Sequence, residues 1–179
     1  NIIQYLLPKQ SNFWLSFGDR NDCRIGFGYH HHVPVTKGMV ALGRPYSGIL
    51  YAGLMLTTQG PKVVEFNCRF GDPETQVLMP RMNSELLPLM MACSAGDISR
   101  IDVLWGDEAA VGVVLASDGY PGKYSIGYPI VGMESLDDVA LLLHAGTGIR
   151  AAENGKDELV TAGGRVLTVV GRAHDLAAA

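Results

Sequence analysis

The stretch that decides the fold is Val-Val-Glu-Phe-Asn-Cys-Arg-Phe-Gly-Asp-Pro-Glu-Thr-Gln at residues 63–76. Apolar and polar side chains alternate along its first half, as in a β-strand with two unlike faces. The apolar face contains Val64, Phe66 and Cys68, and the polar face contains Glu65, Asn67 and Arg69. The pattern therefore predicts a strand that packs through one face and carries chemical groups on the other.

The polar face has the groups that a metal and a phosphate need. Glu65 and Asn67 are two residues apart, so their oxygens point the same way, about 6 to 7 Å apart along a strand, and suit a hard cation such as Mg²⁺. Arg69 adds a planar fork that binds phosphate or carboxylate oxygens. A solvated surface strand is the alternative, but two further carboxylates, Asp72 and Glu74, follow in a turn and favour a site.

The residues before this strand predict its partner. From Ile49 to Leu56 both alternating faces are largely apolar, which is typical of a buried strand. The segment from Thr57 to Pro61 supplies a turn, and Lys62 to Cys68 returns as a second strand. Because the connection is short, we expect an antiparallel hairpin.

Composition places the chain among ordinary globular proteins. Hydrophobic residues make up 47% and charged residues 18%, and a net charge of -4 gives no bulk attraction for nucleic acid. No apolar run approaches the roughly 20 residues that span a bilayer, and no signal-peptide pattern occurs, so a cytoplasmic protein that meets no membrane is expected. Cys23, Cys68 and Cys93 lack CxxC spacing and are predicted to be buried free thiols.

The first part of the chain lacks a readable pattern. Residues 8–32 show no sustained period, and we assign them no structure. Gly26 and Gly28 form only half of a dinucleotide fingerprint. The run His30-His31-His32 is expected to be a solvated loop, since adjacent side chains of a strand point in opposite directions and do not form one ligand face.

After the polar strand the pattern predicts a helix and then short strands. Asn83 or Ser84 can cap a helix with Leu86, Leu89, Met90 and Cys93 on its apolar stripe, ending near Gly96 and starting late because of Pro88. Met82, Met90 and Met91 are expected in the core. Strands are predicted at 111–116, 118–122, 129–131, 141–144 and 165–170, with a brief helix at 135–140. His144 is expected to be a hydrogen-bonded structural residue.

The string Glu-Phe-Asn-Cys-Arg-Phe-Gly-Asp-Pro-Glu-Thr-Gln at 65–76 resembles the signature of the glycinamide ribonucleotide synthetase family, also called phosphoribosylamine-glycine ligases, within the ATP-grasp superfamily. Flanking elements resemble the same family in the same order, and together they cover about residues 33 to 179. They are Tyr-Ser-Gly-Ile-Leu-Tyr-Ala-Gly-Leu at 46–54, Gly-Tyr-Pro-Gly at 119–122, His-Ala-Gly-Thr at 144–147 and Gly-Gly-Arg-Val-Leu at 163–167.

The resemblance implies an α+β fold. Residues 33–100 would be the C-terminal part of an ATP-grasp domain, with antiparallel strands plus a helix. Residues 101–179 would be a small β-rich, barrel-sandwich-like domain whose last helix, starting near Ala173, is cut short. Residues 1–32 stay unassigned. Complete family members carry a separate N-terminal domain, an adenine-binding lysine and a glycine-rich lid, and residues 1–45 resemble none of these.

The resemblance also implies the chemistry. Family members join the amine of 5-phosphoribosylamine to glycine, using ATP to activate the glycine carboxylate as an acyl phosphate. Glu65 and Asn67 match the ligands of Mg²⁺ or Mn²⁺. Arg69 would stabilise the transferred phosphoryl group and bind the nucleotide phosphates. A substrate-facing turn would contain Asp72, Glu74 and Thr75.

Three interpretations stay open at this point. The chain is a C-terminal ligase fragment that is inactive alone, or a non-catalytic binding module that needs a partner, such as the missing N-terminal half, to complete the nucleotide site. The third is a carrier-domain protein, which needs an exposed lysine in a tight turn. Lys123 follows Pro121 and Gly122, but no methionine flanks it as in typical biotin acceptors.

Overall fold

A computed structural model describes residues 2–7, 16–18, 29–136, 139–151, 155 and 157–179. The fold is mixed, with helices and antiparallel sheets. The chain forms two compact units, which we call the hairpin unit (residues 10–75 and 82–106) and the sheet unit (residues 1–9, 76–81 and 107–179). No helix in the described ranges is both long enough and apolar enough to cross a membrane.

Three strands make the sheet of the hairpin unit, and its order is β2-β3-β4. They are β2 (Ser16–Gly18), β3 (Gly48–Thr57) and β4 (Gly60–Asn67). The pairing of β3 with β4 is antiparallel and closes through a short turn, which confirms the predicted hairpin. Ile49 and Leu50, at the end of β3 that pairs with β2, are buried.

The register of the hairpin changes by one residue. Gly53 pairs with Glu65 but Leu54 pairs with Val63, so Val64 is an extra residue on β4 without a partner on β3. Such a bulge interrupts the simple alternation of faces. Glu65 and Asn67 still share a face, as predicted. Val64 is no longer part of the regular alternation that was predicted for the apolar face.

The expectation that the apolar face of β4 packs is wrong for the described residues. Val64 is 66% exposed, Phe66 is 36% exposed, and Cys68 is also exposed. The physical reason is that, among the residues the structure describes, β2 pairs with only the first three residues of β3, so the rest of the hairpin is a two-stranded ribbon there. A ribbon without a third strand or a covering helix leaves apolar side chains in water.

Helix α1 (Tyr29–Ala41) precedes β3 and corrects one prediction. His30, His31 and His32 lie in this helix rather than in a loop. The histidine run and Pro34 disfavour a helix locally, since proline lacks the N–H of one helical hydrogen bond, yet the helix continues through it. Cys23, Gly26 and Gly28 lie outside the described residues.

Two helices follow the hairpin, namely α2 (Thr75–Leu78) and α3 (Leu86–Ala95). α3 ends where predicted, with Gly96 in the left-handed conformation at φ 76°. Its start differs: Ser84 does not cap the helix, because its hydroxyl accepts the N–H of Leu104 at 2.7 Å and contacts the Asp102 carbonyl. Pro88 is tolerated because it lies in the first turn, where its missing N–H has no helical partner.

One side of helix α3 is buried in the core of the hairpin unit. Leu89 is 0% exposed and Cys93 is buried, but Met90 and Met91 are 38% and 65% exposed. The prediction that these methionines fill the core is therefore wrong. Met90 and Met91 follow Leu89 around the helix, so they leave its buried side.

The sheet unit is built on four antiparallel strands in the order β1-β5-β9-β6. They are β1 (Ile2–Leu7), β5 (Ala109–Ala116), β6 (Leu141–His144) and β9 (Arg165–Ala173). A second pair contains β7 (Thr147–Ala151) and β8 (Asp157–Thr161). The core residues of this unit include Val77, Leu78, Val111, Val114, Val160, Val166, Leu167 and Val170.

Several predicted elements of the sheet unit are confirmed and others are wrong. Strands 111–116, 141–144 and 165–170 lie within β5, β6 and β9. Residues 118–122 form turns, because Gly119 has a φ of 90° and the Gly122 N–H donates back to its carbonyl. A 3-10 turn at Met133–Ser135 stands near the predicted helix, and His144 contacts Thr147 through Nδ1 at 3.0 Å as a hydrogen-bonded residue.

The burial of α3 generates a stability prediction. Leu89→Ala should lower the free energy of unfolding by about 2–5 kcal/mol, because it leaves a cavity in a fully packed site. Leu87→Ala, two residues earlier on the same helix and 70% exposed, is the matched control and should change stability by less than about 0.5 kcal/mol. Urea unfolding followed by circular dichroism measures both. Equal losses would contradict the packing described for α3.

Candidate functional site

The predicted metal ligands meet at the end of β4. Asn67 Nδ2 donates to Glu65 Oε1 at 2.9 Å, so the two side chains converge on one point above the strand. Both are open to solvent, Glu65 more than Asn67. The alternation that predicted a shared face is therefore confirmed for this pair.

A glycine on the neighbouring strand makes room for Glu65. Gly53 pairs with Glu65, and a Cβ added to Gly53 would lie 3.2 Å from Glu65 Cγ. Directly paired residues of antiparallel strands point to the same face. A side chain at position 53 would therefore press on the methylene groups of Glu65.

Tyr51 joins the strand to the turn that follows it, and sequence reasoning missed it. It pairs with Asn67 across the hairpin, and its hydroxyl donates to Glu74 Oε1 at 3.1 Å. In the sequence Tyr51 is one more large residue of an apolar strand. The register of the hairpin was the signal that could have found it, but the bulge at Val64 shifts that register.

The turn at residues 71–75 is tight. The Thr75 N–H donates to the Gly71 carbonyl at 3.1 Å, and the Thr75 hydroxyl donates to the same oxygen. A Cβ on Gly71 would lie 2.4 Å from Glu74 Oε2, so any other residue here would displace this carboxylate from its present position. Asp72 is exposed. The structure thus brings Glu74 and Thr75 into one turn with Asp72 on its outer side.

Arg69 lies between β4 and the turn, and its guanidinium forms no ion pair with a carboxylate of the described residues. Its Nη1 donates to the Phe70 carbonyl at 2.7 Å, and the side chain is exposed. The rest of its guanidinium fork faces solvent. This arrangement leaves donors for an external anion without moving the backbone.

Two cysteines, Cys68 and Cys93, lie close enough to Tyr46 to affect its pKa. Tyr46 donates to the Ile49 carbonyl at 2.5 Å, and Ser47 donates to the Cys93 carbonyl at 2.6 Å. Burial raises the pKa of Tyr46 to about 12, with further contributions from the charge and hydrogen bond of Cys68 and the charge of Cys93. Burial also raises the pKa of the Cys93 thiol. The buried position predicted for the thiols is confirmed for Cys93 and wrong for Cys68.

Within the described residues, no group of three or more His, Cys, Asp or Glu side chains gathers to hold a metal. The two polar side chains that meet here are Glu65 and Asn67. Mg²⁺ sites in general use one or two protein carboxylates and complete the coordination with substrate phosphates and water.

Two family models match the chain. The ATP-grasp (A) domain of phosphoribosylglycinamide synthetase matches residues 31–75, and the C domain of the same enzyme matches residues 110–179. The first match ends at Thr75, so it contains the Glu65 and Asn67 pair and the turn.

Curated relatives give the same family. A phosphoribosylamine–glycine ligase of Halalkalibacterium halodurans is 47% identical over 144 residues, which is 80% of this chain and 32% of the relative. A phosphoribosylamine–glycine ligase of Salmonella typhimurium is 48% identical over 149 residues, covering 82% of this chain and 34% of the relative. The chain thus spans about a third of the length of these relatives.

A solved structure agrees with the fold. The crystal structure of phosphoribosylamine–glycine ligase from Thermotoga maritima superposes with a TM-score of 0.65 at 25% identity. The match covers 100% of this chain and 50% of the other.

The raised pKa of Tyr46 gives a pH prediction. The pKa of Tyr46 is about 10 in the unfolded chain and about 12 in the folded chain. The protonated phenol therefore stabilises the fold below pH 10, and this contribution is lost as the pH rises toward the folded pKa. The free energy of unfolding in urea should fall more between about pH 9 and about pH 11 for wild type than for Tyr46→Phe, which cannot ionise. Equal falls would show that the phenol titrates alike in both states.

Proposed function

Because residues 31–75 and 110–179 belong to the phosphoribosylglycinamide synthetase family, we propose that this chain carries part of the site that joins 5-phosphoribosylamine to glycine with ATP. The product would be glycinamide ribonucleotide, in purine biosynthesis. The observation that carries the proposal is the convergence of Glu65 and Asn67 at 2.9 Å, inside the matched ATP-grasp segment.

The pair fits a small hard cation. Oxygens bound at about 2.0–2.1 Å on neighbouring corners of an octahedron lie about 3 Å apart, close to the separation of the two polar atoms. Turning the Asn67 amide places its oxygen where its nitrogen now lies, and the two atoms differ little in shape. Glu65 and Asn67 would therefore hold Mg²⁺ or Mn²⁺, which when bound would neutralise charge on the phosphates of ATP.

The other residues of the turn take roles that follow from their contacts. Arg69, with free donors toward solvent, would bind phosphate oxygens and stabilise the charge that develops as the phosphoryl group leaves ATP. The glycine carboxylate would accept that group, and the amine of phosphoribosylamine would then displace phosphate from the acyl phosphate. Asp72, Glu74 and Thr75 would orient the substrate, with Glu74 held in place by Tyr51.

We also propose bounds for two domains. We assign residues 33–100 to the ATP-grasp part and residues 101–179 to a barrel-sandwich-like domain. The antiparallel order β5-β9-β6 and the pair β7-β8, all within residues 109–173, support the second assignment.

The exposed apolar ribbon supports a requirement for additional polypeptide. Met55 and Val64 are 58% and 66% exposed, and the curated relatives are about three times as long as the matched segment. Apolar surface of this kind marks a contact face. A further segment, in the same chain or in a companion chain, would cover the ribbon and supply the rest of the nucleotide site.

Metal binding tests the pair directly. Glu65→Gln removes the charged ligand and should weaken Mn²⁺ binding by about tenfold or more, measured by calorimetry or by the paramagnetic signal of free Mn²⁺. Asn67→Asp keeps an oxygen ligand and should retain binding. Glu85→Gln changes an exposed carboxylate at the start of α3 that makes no side-chain capping bond, and is the control. Unchanged affinity in Glu65→Gln would remove the proposed site.

Turnover tests the function. Phosphate release that depends on ATP, glycine and phosphoribosylamine should appear when the chain is combined with a polypeptide carrying the remaining segments of a relative, and the 179-residue chain alone should release none. In the combined system Glu65→Gln should lower kcat by about 10² or more. Full activity of that variant, or substrate-dependent turnover by the chain alone, would contradict the proposed division of the site.

A further inference from the structure

The sheet unit contains a cleft of about 590 Å³ that the ligase site does not use. Its lining comes from residues 117–128 and from Thr161 on β8, none of which belongs to the 65–75 segment. The volume is within the range of pockets that hold drug-sized ligands.

One wall of the cleft is held rigidly. Ser117 donates through its N–H to the Gly164 carbonyl and through its hydroxyl to the Gly163 carbonyl, both at 2.8 Å. A Cβ on Gly164 would lie 2.3 Å from Tyr120 Cδ2, so a glycine lets the tyrosine ring lie directly on the backbone. Tyr120 in turn contacts Tyr124 edge to face, with ring centroids 6.2 Å apart. Tyr124 therefore packs against Tyr120 at the cleft.

The opposite wall is fixed to β8. The Tyr128 N–H donates to Thr161 Oγ1 at 3.1 Å, and the Thr161 N–H donates to the Tyr128 carbonyl at 2.8 Å. A third bond joins the Gly127 N–H to the Thr161 carbonyl at 2.6 Å. A cleft whose two walls are both tied to the sheet is preformed, so a ligand spends little free energy on ordering it.

The chemical groups in the cleft are of three kinds. The aromatic residues Tyr124 and Tyr128 line the cleft and are 44% and 61% exposed as whole residues. Hydroxyl groups come from serine and threonine. Lys123 and Asp118 carry one charge of each sign, and within the described ranges neither of them forms an ion pair.

We propose that this cleft binds a nucleoside monophosphate. Two exposed rings give stacking surfaces for a planar base. A single ammonium group matches a single phosphate, whereas a triphosphate needs several cations or a metal. Asp118 matches the vicinal hydroxyl groups of a ribose, since a carboxylate accepts from two neighbouring O–H donors.

The alternatives differ in which of these groups stay unused. A sugar phosphate without a base would make no stacking contact with either ring, and an uncharged nucleoside would make no ion pair with Lys123. Inorganic phosphate would use the lysine alone. Comparing these probes therefore separates the contributions of base, ribose and phosphate.

Binding of adenosine 5′-monophosphate to the full 179-residue chain, measured by calorimetry with EDTA present, tests the proposal. The monophosphate should bind about tenfold or more tightly than ribose 5-phosphate and than adenosine, and inorganic phosphate more weakly still. Lys123→Met and Tyr128→Leu should each weaken binding by about tenfold. Lys123→Arg should retain it, because it keeps the cation.

The controls keep this site apart from the ligase site. Lys62→Met removes an exposed lysine from β4 in the hairpin unit and should leave binding unchanged. Equal affinity for ribose 5-phosphate and the monophosphate would overturn the proposal, as would the absence of binding or loss of binding in Lys62→Met. Circular dichroism confirms that each variant is folded. The result does not depend on whether the chain takes part in ligation.

Discussion

The register of one hairpin governs the geometry of the hairpin unit. If β3 and β4 continued the pairing that starts at their turn, Glu65 would lie opposite Ala52, and Asn67 would lie opposite Leu50, on the face of a buried leucine. The extra residue at Val64 moves each pairing by one position, so that Gly53 and Tyr51 become the partners. A one-residue change of register transfers side chains to the other face of a sheet. The bulge therefore places the two polar ligands beside a glycine, which leaves them space, and beside a tyrosine, which reaches the next turn.

This dependence explains how far the sequence could predict the site. Alternation along residues 65–67 places Glu65 and Asn67 on one face whatever the partner strand does, and the short turn predicts the antiparallel pairing. The identity of the partners is a property of two strands, and a bulge leaves no local mark in a run such as Val63-Val64. Tyr51 and Gly53 were hidden for this reason. The prediction that Val64 and Phe66 are buried was wrong for a similar reason, because alternation indicates which residues share a face but not what covers that face.

The remaining elements differ in how far their own residues predict them. Strands β5, β6 and β9 are apolar runs whose existence follows from their own residues, and the sequence predicts them. Residues 118–122 were predicted to be a strand, but four of the five are Asp, Gly or Pro, and the turn closes through local hydrogen bonds from Tyr120 N–H to the Ser117 carbonyl and from Gly122 N–H to the Gly119 carbonyl. The helix that contains His30 to His32 forms through Pro34 against local preference. The strand prediction at 118–122 failed because glycine and proline disfavour strands and favour turns.

Glycines that permit close approach shape both proposed sites. Gly53 lets the Glu65 side chain cross β3, and Gly71 lets Glu74 fold over the turn backbone. In the sheet unit Gly164 lets the Tyr120 ring rest on the backbone, where it contacts Tyr124. In each case the missing Cβ places a functional side chain rather than loosening the backbone, and a methyl group at any of these positions would lie 2.3 to 3.2 Å from its neighbour. Because protein interiors are packed closely, the position of a ligand-binding group is set by its supporting contacts. The glycines are therefore as much a part of each site as the charged residues that would touch the ligand.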